Sequence, residues 1–258
     1  MESTDLQKPT VGVLALQGAF QEHGRIMESL GANVREVRIP EELEGVDGLI
    51  FPGGESTAMA IVGEDNKIFP SLKEFVAAGN PVWGTCAGMI LLSDGAIAQK
   101  RGGQALVGGL NVTVCRNFFG SQVSSFEICL ETCKIPEGND EPYPGVFIRA
   151  PAILEVGDDV SILATVKANP HQSAKSQVDS LLEDASERES IEDSEAPSKK
   201  KRKISKSNDG KMEVIVAVKQ GNVLATAFHP ELTADVRWHE HFYNMVLEKK
   251  NNPSGIVG

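Results

Sequence analysis

A chain of 258 residues is long enough to bury a full hydrophobic core, as one α/β domain or two small ones. Its 25 Lys and Arg against 36 Asp and Glu give a formal net charge of −11, which argues against nucleic acid as the main ligand, since phosphate binding needs clustered positive charge. No apolar run reaches the ~18 residues of a membrane span, the polar stretch 1–8 lacks signal-peptide character, and four scattered cysteines make no disulfide framework, so a reducing, cytoplasmic setting is expected.

Residues 11–16 (VGVLAL) are a short apolar run of the kind buried parallel strands show. Gln17-Gly18 breaks it, and 19–30 follows as a helix with Gly31 as its stop. Residues 34–39 and 48–51 read as further strands, the latter running into Pro52-Gly53-Gly54-Glu55-Ser56-Thr57. An amphipathic helix is expected over 69–78, closed by Gly79-Asn80, and then a strand leading to Cys86 and the start of an apolar helix. Strand and helix alternate through this half, which predicts a doubly wound, mainly parallel sheet with helices on both faces. In such sheets ligands bind outside the carboxyl ends of the strands, where Gln17, Gly54 and Cys86 all lie.

From about residue 103 the texture changes to short β-rich runs at 111–115, 125–130, 146–149, 161–166, 214–218 and 223–227, so extra antiparallel strands are expected in the second half. Gln220-Gly221-Asn222 reads as a hairpin turn, and 235–250 as a final helix with Val236, Phe242, Val246 and Leu247 along one stripe. The stretch 168–211 is rich in Ser, Glu and Asp and nearly without aromatics, and it is expected to be a disordered charged insertion compatible with a short helix near 178–182. Its basic run Lys199–Lys203 resembles a nuclear-import signal; a solvated charge block is the plainer reading.

Gly84-Thr85-Cys86-Ala87-Gly88 has the shape of a nucleophile elbow with Cys in place of Ser. Glycines leave room around a strained strand-to-helix turn, and positive potential at a helix N-terminus favours a thiolate. On this stretch alone, a buried structural cysteine in a Gly-rich turn is an equal reading. Among five histidines, His229 has the best setting for a base: it follows an apolar strand and precedes Pro230-Glu231. A residue before proline is driven toward extended geometry, and residues two apart in extended chain share a side, so His229 and Glu231 can face one site. The paired glycines of 52–57 bring backbone N–H groups near a ligand, as an oxyanion or carboxylate requires; an ordinary βα loop or a phosphate cradle are the alternatives, though no Walker-type Gly-Lys-Ser/Thr follows. Cys115, Cys129 and Cys133 read as partly buried thiols, Cys129 and Cys133 lack the further ligands of a zinc site, and His239 and His241 diverge on a helix, so no metal site is expected. His23 and His171 show no partner in the sequence.

Taken together, the Cys86 elbow and the downstream His229-Pro230-Glu231 resemble a class I (triad) glutamine amidotransferase. The nearer resemblance is to the pyridoxal 5′-phosphate synthase glutaminase (PdxT/Pdx2) branch, carried by residues 11–18, 52–57, 116–122 (RNFFGSQ), 125–127, 145–151 (GVFIRAP) and 227–233 (AFHPELT), in order along nearly the whole chain outside 168–211. That resemblance implies a flavodoxin-like class I glutaminase fold as a single domain over 1–258. It implies Cys86 as nucleophile, His229 as general base and acid, Glu231 as orienting carboxylate, and backbone N–H groups of Gly54 and Ala87 as the oxyanion hole. Gly54, Glu55, Ser56, Arg116, Ile148 and Arg149 are then expected to hold L-glutamine. Ammonia released from it is expected to pass to a separate (β/α)₈-barrel synthase subunit of the PdxS/Pdx1 type in a hetero-oligomer, with no cofactor in this chain. Two other readings are a glutaminase of histidine or purine synthesis on the same fold, and a scaffold that has lost catalysis. The 116–122 and 145–151 blocks favour the first branch, and the intact triad argues against loss.

Overall fold

The computed structural model describes residues 8–97, 104–120, 125–130, 134–135, 137, 141–189, 201–204 and 211–252, with only the backbone described over 182–189 and 201–203. The first half runs β1 (Thr10–Leu14), α1 (Phe20–Ser29), β2 (Asn33–Val37), β3 (Gly48–Phe51), α2 (Ser56–Asp65), α3 (Phe69–Ala77), β4 (Val82–Thr85) and α4 (Ala87–Leu92). The second half adds β5 (Ser93–Ile97), β6 (Leu110–Cys115), β7 (Ser125–Leu130), β8 (Tyr143–Ile148), β9 (Ala152–Gly157), β10 (Ser161–Ala168), α5 (Gln172–Glu189), β11 (Lys201–Lys203), β12 (Met212–Gln220), β13 (Val223–Thr226) and α6 (Arg237–Asn251).

Five strands pair in parallel in the order β2-β1-β3-β4-β13, and the sheet continues through β12, β9 and β6 in antiparallel pairs to β5, which is parallel to β6. β10 pairs with β12, β11 with β9, and β7 with β8 forms a separate two-stranded ribbon. The α/β class with a parallel half and an antiparallel half is therefore as expected. Near-continuous burial of VGVL in β1, GLIF in β3, VWGT in β4 and VLAT in β13 fits strands covered on both faces. Along β4 the alternation of a strand sends Trp83 and Thr85 to the face carrying α1 and α6, where Trp83 meets His23 and Phe242. Gly84 points to the opposite face and meets α4.

The chain reverses its winding at β1, which lies between β2 and β3, so the carboxyl ends of β1, β3, β4 and β13 open onto one crevice. Register keeps three of those ends level: Phe51 pairs with Gly84, and Thr226 with Thr85. The residues that follow these strands are thereby brought side by side.

The segment 168–211, expected as a structureless loop, carries regular structure in its described residues. α5 is much longer than the single turn expected near 178–182, with Ala174 and Val178 buried and Leu181 packed on the core, an i, i+4, i+7 stripe on an otherwise polar helix. The His171 amide N–H, just before it, donates to the Phe118 carbonyl at 2.8 Å. β11 lies antiparallel to β9, and Ile204 after it is buried. Lys199 and Lys200 lie outside the described residues, while the backbone of Lys201–Lys203 is paired in the sheet. Among the described residues no helix is long and apolar enough to cross a membrane.

Candidate active site

Cys86 follows the last residue of β4 and immediately precedes α4, with φ 48° and ψ −102°, in the region that L-residues rarely adopt. Neighbouring structure holds it there: its N–H donates to the Thr226 carbonyl of β13 at 2.8 Å, and its own carbonyl accepts from Ile90. The flanking glycines are required by close approach. A Cβ at Gly88 would lie 1.9 Å from the Phe51 carbonyl oxygen, and one at Gly84 2.6–2.7 Å from the Gly88 backbone. Gly88→Ala is expected to destabilise the protein by about 3 kcal/mol, because backbone rather than a flexible side chain blocks the new methyl. Thermal unfolding should show a fall in Tm of about 6–12 °C; an unchanged Tm would mean that the elbow is looser than its packing indicates.

His229 follows β13 after Ala227 and Phe228, and its N–H donates to the Val146 carbonyl of β8 at 2.8 Å. Its Nδ1 lies 2.8 Å from Glu231 Oε1. The ring packs on the glycine loop, with Cε1 2.5 Å and Nδ1 2.8 Å from where a Cβ on Gly53 would be, and the Cys86 Cβ 3.5 Å from the same point. Only glycine leaves room for the imidazole and the cysteine to meet there. Burial disfavours the charged imidazole, but its interactions with the Cys86 sulfur and with Glu231 outweigh that, and the His229 pKa is pushed up to about 10. Its Nε2 is buried without a hydrogen bond of regular geometry. Glu231 is 7% exposed. Burial works against its charge, yet the imidazoles of His23 and then His229 more than compensate, holding the carboxyl below its usual range.

The remaining predicted residues line the same crevice. Glu55 caps α2, its Oε1 accepting from Thr57 N–H at 3.4 Å, and its two oxygens lie 3.4 Å from Arg116 and from Arg149. Arg116 also donates to Thr57 Oγ1 at 3.1 Å. Arg149 has φ 47°, a strained backbone at the end of β8, and the carbonyl of its neighbour Ile148 lies 3.9 Å from Cys86 Sγ. Ser56 is the exception: its side chain is buried and its hydroxyl donates to Gln104 Oε1 at 3.1 Å, so that hydroxyl is already engaged. The Gly53-Gly54 loop is braced from the connection between β1 and α1, with the Gly53 carbonyl accepting from Ala19 N–H at 3.0 Å and Glu55 N–H donating to Gln17 Oε1 at 2.7 Å. The Ala87 N–H stands at the first turn of α4, where amides have no intrahelical acceptor.

Gln17, expected at a ligand-facing strand end but with no role of its own, joins the site by bracing Glu55, and Thr57 and Gln104 are further neighbours for which no role was expected. His23, for which the sequence offered no partner, lies directly against Glu231. Cys115 is buried, which pushes its thiol up to about 12, and Cys129 is exposed and unpaired; Cys133 lies outside the described residues. Among the described residues no group of three or more His, Cys, Asp or Glu is arranged to hold a metal ion.

A thiol, an imidazole and a carboxylate in series, beside backbone amides and an arginine pair, form a site suited to acyl transfer from a small zwitterionic amide. The chain belongs to the SNO glutamine amidotransferase family, which it matches over residues 13–184 and 188–248. It is 51% identical over 249 residues to the probable pyridoxal 5′-phosphate synthase subunit PDX2 of Arabidopsis thaliana, covering 95% of this chain and 89% of that one. It is 40% identical over 240 residues to the pyridoxal 5′-phosphate synthase subunit PdxT of Corynebacterium jeikeium (strain K411), covering 93% and 97%. Among solved structures it is similar to a glutamine amidotransferase at 34% identity and a TM-score of 0.66, covering 92% of this chain and 98% of the other.

Proposed function

We propose that this chain is the glutaminase subunit of pyridoxal 5′-phosphate synthase, a single-domain enzyme that hydrolyses L-glutamine to L-glutamate and ammonia. The observation that carries the reading is the convergence of Cys86, His229 and Glu231 at the level ends of β4 and β13, in a chain 51% identical to a plant subunit of that synthase.

The Cys86 sulfur attacks the side-chain amide carbon of glutamine, and the C–N bond breaks as the S–C bond persists. His229, with its pKa near 10, holds at neutral pH the proton that the departing amide nitrogen needs, so ammonia leaves and a γ-glutamyl thioester remains. The now neutral His229 takes a proton from water; the hydroxide displaces sulfur, and glutamate is released. Glu231 keeps the imidazole turned toward Cys86 through the 2.8 Å contact at Nδ1. Backbone N–H groups of Gly54 and Ala87 receive the oxyanion. Glu55 is suited to the α-ammonium and Arg116 and Arg149 to the α-carboxylate, Ile148 lines the scissile amide, and Ser56 contributes through its backbone.

The ammonia is delivered to a separate synthase subunit, a (β/α)₈ barrel, in a hetero-oligomer. The test is glutamate release from L-glutamine by the purified chain, alone and with the cognate synthase subunit, alongside ammonia-dependent pyridoxal phosphate formation. Release stimulated by the synthase supports the reading; no release in either condition overturns it. Arg116→Met is expected to raise KM for glutamine about tenfold to a hundredfold with a smaller change in kcat, because it removes a charge-assisted contact to the bound substrate. An unchanged KM would take Arg116 out of the binding set.

A further inference from the structure

Behind Glu231 the protein buries two imidazoles that the reaction above does not use. His23, on α1, and His239, on α6, are both fully buried and stand edge-on to Trp83, with ring centroids 5.5 and 4.9 Å away and interplanar angles of 77°. His23 Nε2 lies 3.3 Å from Glu231 Oε2 and 3.2 Å from Thr85 Oγ1. Its Nδ1 lies 2.9 Å from His239 Nε2. The carboxylate of Glu231 therefore sits between two rings, with His229 at Oε1 and His23 at Oε2.

Hydrogen-bond chemistry places the protons. Among the described residues Oε2 makes no hydrogen bond of regular geometry, and a buried carboxylate oxygen needs a donor; His23 Nε2 stands 3.3 Å from it. If His23 carried its proton on Nδ1, its Nε2 lone pair would face a carboxylate lone pair. In that case His239 would have to accept at Nε2, leaving its own Nδ1–H as a buried donor without an acceptor. With the proton on His23 Nε2, each ring is satisfied in turn: His239 Nε2–H donates to His23 Nδ1, and His23 Nε2–H faces two acceptors, Thr85 Oγ1 at 3.2 Å and Glu231 Oε2 at 3.3 Å. Only the His239 Nδ1 lone pair is then left over, which is the milder omission. The titratable groups around His23 are Glu22 on its own helix, His229 and Glu231 from the turn after β13, and His239 from α6. Burial drives His23 and His239 toward the neutral form despite Glu231, and the negative carboxylate is already balanced by His229.

We propose that His23 is a positioning residue for the glutaminase reaction, donating from Nε2 to Glu231 Oε2, and that His239 fixes the tautomer which lets it do so. A carboxylate held at one oxygen rotates freely about its last bond; held at both, it aims Oε1 at His229 Nδ1 and so fixes where Nε2 meets the sulfur. The 3.3 Å contact is long for a hydrogen bond, as catalytic contacts often are before substrate binds. The inference rests on the reading of Cys86, His229 and Glu231 as the reacting centre.

The test compares wild type, His23→Phe, His23→Gln and Cys86→Ala in complex with the synthase subunit, measuring kcat and KM for glutamate release and Tm for folding. His23→Phe keeps a planar ring but no donor, and is expected to lower kcat about tenfold to a hundredfold with KM within about twofold of wild type. His23→Gln, whose amide nitrogen reaches the place of Nε2, should recover most of that loss. A folded His23→Phe enzyme with wild-type kcat overturns the proposal, as does a folded His23→Gln enzyme no better than the phenylalanine variant. Absence of Cys86-dependent release in wild type would instead overturn the underlying reading. Should the phenylalanine variant fail to fold, ¹⁵N NMR of the wild-type imidazoles decides: a neutral His23 protonated on Nε2 is expected at pH 7, and either an imidazolium or a proton on Nδ1 refutes it.

Discussion

Cys86→Ala is expected to lower glutamate release by about 10⁴-fold or more while leaving Tm within a degree or two of wild type, because the nucleophile is lost and almost no packing is. Alanine keeps the Cβ that packs near Gly53 and His229, and it meets the same backbone strain at φ 48° that cysteine does. The sharper consequence falls on His229. Its pKa of about 10 is raised against burial first by the sulfur and then by Glu231, so removing the sulfur leaves burial opposed by the carboxylate alone. The imidazole of the variant should therefore titrate below the wild-type value, readable by NMR of its ring nitrogens. Retention of more than about a hundredth of wild-type release would remove Cys86 from the reaction. A His229 titration unmoved by the substitution would show that the sulfur and imidazole are not in contact.

The parallel half of the fold is legible because its signals are local. A short apolar run broken by glycine announces a buried strand and its loop, and β1 (Gly18), β3 (Gly53 and Gly54) and β4 (Gly84 and Gly88) all carry that signature. The elbow is legible for the same reason: the backbone of Phe51 and Met89 admits only glycine at 84 and 88, so the constraint is written in the residues themselves. α2 carries no such signal, since STAMAIVGED starts inside the glycine loop and has no clear apolar stripe; the Glu55 cap that starts it also belongs to the site. β9 (AILEVG) follows Pro151 at once and merges with the preceding block in sequence, becoming a strand through pairing with β6 and β12. In α5 the composition of the charged segment masked a stripe at 174, 178 and 181 that was there to be read. His23 was hidden for a different reason. Its partners are 62, 208 and 216 positions away, and helix α1 gives no sign that one of its buried positions meets a carboxylate from the far end of the chain. Contacts made only when distant elements close on one another leave no local trace.

The same geometry makes Glu231→Gln more damaging than its isosteric shape suggests. Both groups facing the carboxylate are donors, His229 Nδ1–H at 2.8 Å and, with His23 neutral, its Nε2–H at 3.3 Å. A glutamine must turn its NH₂ toward one of them, so either the catalytic imidazole loses its acceptor or the buried ring behind does. A kcat lower by about 10²–10⁴ is expected, with the fold retained. The pH profile fixes the sign. In wild type the folded His229 pKa lies above its ordinary 6.5, so the imidazolium persists through neutrality and is lost only as pH rises through about 10. The alkaline limb of kcat/KM for glutamine is accordingly expected near 10. Without the negative charge of Glu231 one of the two supports of that imidazolium is gone, while burial still opposes it, so the limb moves toward neutral pH. A variant whose limb stays at the wild-type position would show that Glu231 does not act through His229. One whose kcat falls while the limb shifts down places the carboxylate where the imidazolium needs it.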